Sequence, residues 1–166
     1  MSREADEPND GGTSSAASTG QLPIGAQLNQ IYEIRRFIAR GGMGEVYEGV
    51  NLATSERVAI KVILRHLADD PAVKTSFLKE AQIHMRLSHP ALAQYRLATQ
   101  EPTLGVFYIV TEFVDGVGLD TLIGKVIPTE PQLRALMRRL AEGLGAAHDL
   151  GAIHRDISPD NILAPR

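Results

Sequence analysis

At 166 residues, 43% hydrophobic and 22% charged, the chain has the composition of an ordinary water-soluble globular protein, long enough for one domain or two small lobes. A net charge of −3 gives no electrostatic case for nucleic acid or an anionic membrane, both of which need a concentrated basic surface. The lack of cysteine rules out disulfides, thiolate metal sites and thiol redox chemistry, and apolar runs such as residues 106–110 are far too short to span a bilayer. With no basic stretch leading into an apolar one at the N-terminus, the expectation is a soluble, unexported, cytoplasmic chain.

Residues 1–22 hold Ser, Thr, Gly, Asp and Glu with almost no large apolar side chains. They bury too little surface to offset the entropy of ordering and are expected to form a disordered tail. From Ile31 onward, short apolar runs split by glycine, IYEIRRFIA, EVYEGV and RVAIKVIL, predict three strands of an antiparallel meander. The stretch DDPAVKTSFLKEAQIHMRL opens on Asp and Pro and runs into SHP, the punctuation of one helix. Two further strands are expected around residues 93–99 and 106–113, then mostly helix from Leu119. There is no internal repeat.

Four stretches carry chemistry. In ARGGMGEVYEG, residues 39–49, glycines at 41, 42 and 44 remove Cβ atoms and permit positive φ, so backbone N–H groups can approach phosphate oxygens. The same residues also suit a hairpin turn with no ligand. A strand rather than a helix follows, which excludes a dinucleotide fingerprint, and no Lys-Ser or Lys-Thr follows the last glycine, which excludes a Walker A loop. In VAIK, residues 58–61, strand alternation puts Ala59 and Lys61 on one face and Val58, Ile60 and Val62 on the other. A flat ring beside a cation fits there, as does a strand lysine reaching solvent along its stem. In the helix, Val73, Phe77, Glu80, His84 and Leu87 fall at spacings of three and four, so Glu80 sits on the apolar face. Either it finds a cation, with Lys61 the candidate and His84 the local alternative, or it lies at the helix margin in water. In HRDISPDN, residues 154–161, Asp156 can accept a hydroxyl proton and Asn161 offers a neutral oxygen to a hard cation such as Mg²⁺. A polar turn around Pro159 accounts for the same residues.

Together these residues resemble the eukaryotic-like (Hanks-type) protein kinases, nearest in character to bacterial serine/threonine kinases, in the order glycine-rich loop, VAIK, helix glutamate, hinge and HRD loop over residues 31–163. The resemblance implies an α+β fold. A kinase N-lobe, a five-stranded antiparallel sheet plus one helix, would occupy residues 23–113, and a hinge with the first helices of an incomplete C-lobe residues 114–166. It implies ATP and Mg²⁺ as cofactors and a protein substrate of unknown identity. Gly41 and Gly44 would cover the ATP phosphates, with Ile38 and Gly42 beside them in the cofactor-binding set. Val46, Ala59 and Leu163 would sandwich the adenine, and Lys61, paired with Glu80, would hold the α and β phosphates. Thr111 would be the gatekeeper, and main-chain groups of Glu112 and Val114 would bond the adenine edge. Asp156 would accept the substrate proton, Asn161 would hold Mg²⁺, His154 would pack, and Arg155 would await an activation-loop phosphate.

Three departures stand against that pattern. Ala39 replaces the first glycine of the loop, which restricts φ but removes no phosphate contact. Ser158 stands where serine/threonine kinases carry a lysine, removing a charged contact to the transferring group. No DFG, activation loop or APE follows Asn161, so Asn161 lacks its metal partner and a truncated kinase domain is expected, inactive alone. Leu133, Leu136, Met137, Leu140, Leu144 and Ala147 form an apolar stripe along helix 131–150, expected to need a missing C-lobe or a partner to cover it. Two functions follow: a protein serine/threonine kinase by family, or a non-catalytic kinase-like remnant that binds nucleotide or a partner.

Overall fold

The computed structural model describes residues 20–154 and 157–165, and of Glu80 the backbone alone. Strands β1 (Gln27–Leu28), β2 (Tyr32–Arg40), β3 (Gly44–Asn51), β4 (Arg57–Ile63), β5 (Tyr95–Glu101) and β6 (Val106–Glu112) form one sheet in the order β1-β2-β3-β4-β6-β5. Every neighbouring pair is antiparallel. The sheet has six strands, not the five expected. The extra one, β1, is two residues long, too short for alternation to signal it. It folds back on β2 through residues 29–31, a turn in which Asn29 and Gln30 are at positive φ and Ile31 N donates to Leu28 O at 3.0 Å.

Alternation decides the two faces. Val58, Ile60 and Val62 of β4 join Val106, Tyr108 and Val110 of β6, Ile34 and Tyr47 in one buried cluster. Each fully buried aliphatic side chain there contributes about 1.5–3 kcal/mol. Leu22 belongs to the same cluster, only 3% exposed. The expected tail boundary at residue 22 is therefore corrected. Gln21 and Leu22 are packed onto the sheet because one large apolar residue and a polar neighbour found buried partners; the tail expectation for residues 1–19 lies outside the described residues.

Helices α1 (Arg65–Ala68) and α2 (Pro71–His84) follow β4. Asp70 caps α2, its side chain accepting from Ala72 N at 2.8 Å, and Pro71 occupies the first turn, where its missing N–H costs no helical hydrogen bond. The helix turns its buried Ala81 inward, holds the Lys74 ammonium 4.8 Å over the Phe107 ring, and stacks His84 on Tyr95 with ring centroids 4.9 Å apart.

Beyond the sheet come β7 (Gly116–Gly118), α3 (Leu119–Leu122), α4 (Glu130–Asp149), a 3₁₀ turn (Pro159–Asn161) and β8 (Leu163–Pro165). The expectation of mostly helix after Leu119 holds through α3, α4 and the 3₁₀ turn; the short strand β8, paired with β7, is the addition. Gly116 permits it, since a Cβ there would lie 2.7 Å from Ala164 O. Helix α4 docks through small residues: Ala147 packs with Leu87 and Ala152, and a Cβ on the buried Gly143 would meet Ala91 at 3.1 Å. Arg139 adds a bond to Pro90 O at 2.7 Å.

Candidate functional site

The face of the sheet opposite the core gathers the sequence-predicted residues. In register, Val46 of β3 stands opposite Lys61 of β4, and Ala59 of β4 opposite Thr111 of β6. Residues directly opposed in antiparallel strands share a face. Val46, Ala59, Lys61 and Thr111 thus form one contiguous patch, small side chains at its centre and a cation at its edge. Lys61 is exposed and makes no ion pair among the described residues. The expected pair with Glu80 involves a side chain outside the described residues; the backbone puts Glu80 between Phe77 and His84 along α2.

The glycine loop closes the hairpin of β2 and β3. Gly41 N–H donates to Gly44 O at 2.8 Å, and Met43 O accepts from Leu64 N at 3.2 Å. None of the three loop glycines adopts positive φ, so the conformational reason expected for them is corrected. Gly44 is required for proximity: a Cβ would lie 2.5 Å from Val62 O. Around Gly42 nothing lies within 4 Å of such a Cβ, and at Gly41 only Gly44 O at 3.9 Å. At those two positions the missing side chain leaves open space above the loop. Ile38, 40% exposed, sits at a bulge in β2 beside Ala39, which pairs with Val46.

Glu112 ends β6 and Val114 lies in the linker that follows, both half-buried. Thr111 Oγ1 donates to Glu112 O at 3.2 Å. The β7–β8 ribbon then brings the far end of the chain back to this linker, with Leu163 opposite Gly118 and Leu119 N donating to Ile162 O at 2.8 Å. Leu163 is 44% exposed and sits only two residues from Asn161. In the 3₁₀ turn, Asn161 Nδ2 donates to Ser158 Oγ at 3.0 Å, so the serine that departs from the family pattern holds the amide of the expected metal ligand. Arg155 and Asp156 lie outside the described residues. Among the described residues no group of three His, Asp or Glu converges to hold a metal ion.

Sequence reasoning missed two polar clusters. Glu48, on the same face as Ala59, accepts from Arg36 at 2.7 Å and from Arg57 at 2.8 Å. Arg57 also reaches Asp115 at 3.3 Å and lies 4.1 Å over the Phe113 ring, tying the sheet to the linker. Burial pushes the Glu48 carboxyl up, but the hydrogen bonds and charges of the two arginines outweigh it and hold it below the usual carboxylate value. The second cluster surrounds Glu45, which is fully buried on the core face. The alternating charges in these strands were the available signal, but sequence alone does not say which of them pair across strands.

A curled antiparallel sheet with a flanking helix, a glycine hairpin joining two of its strands and a short linker to a helical segment defines the small lobe of a protein kinase fold. The family model for the protein kinase domain matches residues 32–166, and the chain belongs to the protein kinase family. It is 34% identical over 133 residues to the serine/threonine-protein kinase PknE of Mycobacterium tuberculosis, covering 80% of this chain and 23% of PknE. With the serine/threonine-protein kinase PknH of Mycobacterium bovis the identity is 33% over 136 residues, covering 81% of this chain and 22% of PknH. The chain thus spans less than a quarter of the length of these curated relatives. The kinase domain of M. tuberculosis PknI superposes with a TM-score of 0.74 at 24% identity, covering 87% of this chain and 59% of that one, a likeness of fold.

Proposed function

We propose that the chain carries the nucleotide-binding part of a bacterial serine/threonine protein kinase, which transfers the γ-phosphate of ATP to protein hydroxyls. The observation that carries this reading is the shared face of Val46, Ala59, Lys61 and Thr111, next to the glycine hairpin that begins β3. Bound Mg-ATP supplies the transferable phosphoryl group and its charge-neutralising cation. Val46, Ala59 and Leu163 enclose the base, main-chain groups of Glu112 and Val114 read its edge, and Thr111 limits the depth of the pocket. Lys61, oriented by Glu80, binds phosphate oxygens, and Gly41, Gly42 and Gly44 leave room for phosphates against the loop, with Ile38 at its margin. Asn161, oriented by Ser158, offers its oxygen to Mg²⁺, and Asp156 orients the acceptor hydroxyl and takes its proton. ATP as phosphate donor puts the reaction in the cytoplasm. No helix among the described residues is long and apolar enough to cross a membrane. The apolar side of α4 is covered by further kinase-domain helices or by a partner.

Calorimetry with Mg-ATP tests the reading. The chain is expected to bind, and Lys61→Ala to weaken binding by at least about tenfold, the loss of one charge-assisted phosphate contact. Failure of the unaltered chain to bind, or equal affinity in the variant, counts against it.

A further inference from the structure

Glu45 follows Gly44 at the root of the glycine hairpin, yet its side chain lies on the core face at 0% exposure. A buried carboxylate is costly unless every lone pair is engaged, and here the donors come from three parts of the chain. Arg40, opposite Glu45 in register on the other limb of the hairpin, donates through Nε at 2.6 Å and also through Nη2. Tyr47 donates its hydroxyl. The third donor is Gln21 N–H at 2.7 Å, from the segment that precedes the sheet. That segment is closely seated: Gln21 Nε2 donates to Ile63 O at 2.9 Å, Leu22 N donates to Tyr47 OH at 3.1 Å, and a Cβ at Gly20 would come within 2.9 Å of Phe37. Ile63 in turn pairs with Gly44 and lies two residues beyond Lys61.

We propose that residues 20–22 act as a clamp on the glycine hairpin, with Glu45 as the positioning residue through which they set its height over the phosphates. The clamp grips both limbs of the hairpin and the end of the lysine strand from the side away from the nucleotide. Releasing it frees the hairpin root while leaving Val46, Ala59 and Thr111 in place. This rests on the reading that the hairpin covers phosphates, and it adds that the segment before the sheet tunes phosphate binding without touching nucleotide.

The test uses the 166-residue chain with Gln21→Pro, which removes both the N–H donated to Glu45 and the side-chain bond to Ile63 O, and Glu45→Gln, hydrogen exchange of the amides of residues 41–44, and affinities for Mg-ATP and for adenosine. Each variant is expected to speed hairpin exchange and to weaken Mg-ATP about fivefold while adenosine, which has no phosphate, stays within about twofold. Unchanged exchange, or equal weakening of both ligands as general loosening of the fold produces, overturns the proposal. Should the unaltered chain bind neither ligand, the nucleotide reading fails and the exchange measurement alone decides the clamp. Should Glu45→Gln not fold, Gln21→Pro, which lacks the N–H that Glu45 accepts and sits at a half-buried position, carries the test.

Discussion

A methyl group at Gly44 would lie 2.5 Å from the carbonyl oxygen of Val62, whereas one at Gly42 would meet nothing within 4 Å. The two glycines of one loop therefore answer to different demands. Gly44→Ala must push β3 away from β4 and is expected to lower stability by about 1–3 kcal/mol, measured by urea unfolding. Gly42→Ala is expected to unfold within about 0.5 kcal/mol of the parent and to lose affinity for Mg-ATP. A Gly42→Ala chain that binds as tightly as the parent would remove that glycine from the phosphate site. Both glycines were visible in the sequence, but positive φ was the wrong reason for them, because strand-to-strand distance is not written in one strand.

The sheet is the element on which pH acts. Burial pushes the Glu45 carboxyl up, but the hydrogen bonds of Tyr47, Gln21 and Arg40 with the Arg40 charge hold it below the usual value. Glu101, 5% exposed, is lowered chiefly by the Asn29 N–H, and Glu48 by its two arginines against the opposing effect of burial. Carboxyls lower in the folded than in the unfolded chain stabilise the fold in full above their ordinary value near 4.5 and lose that contribution as pH falls through the folded values. Tyr47 has the opposite sense. Burial and its bond to Glu45 push it from 10.0 up to about 12, so its contribution is present below 10 and lost as pH rises towards 12. Thermal midpoints are expected to be flat near neutrality, to fall on the acid side below 4.5 and to fall again on the alkaline side. Glu45→Gln should shallow the acid limb; an unchanged limb would show that the other carboxylates carry it.

Across the whole molecule, the six-residue stripe of α4 divides. Ala147 is buried and Leu136, Leu140 and Leu144 are half-buried, but Leu133 is 48% and Met137 57% exposed. An apolar surface of this kind promotes association. The double variant Leu133→Lys, Met137→Lys is expected to stay monomeric in sedimentation at concentrations where the parent self-associates, with an unchanged melting midpoint. A lowered midpoint would instead mean that the stripe packs within the chain.

The strands of the sheet, the capped helix α2 and the order of glycine loop, VAIK and HRD stretch were legible in the sequence because each depends on local rules: alternation, an Asp-Pro start, glycines without Cβ. These sufficed to name the family. The two-residue β1, the β7–β8 ribbon that carries Leu163 to the linker, the seating of Gln21 and Leu22, and the arginine and glutamate clusters were decided only by tertiary structure. Each is a pairing between segments far apart in the chain, and its partners are selected by closure of the curled sheet and by burial, neither of which any single segment encodes.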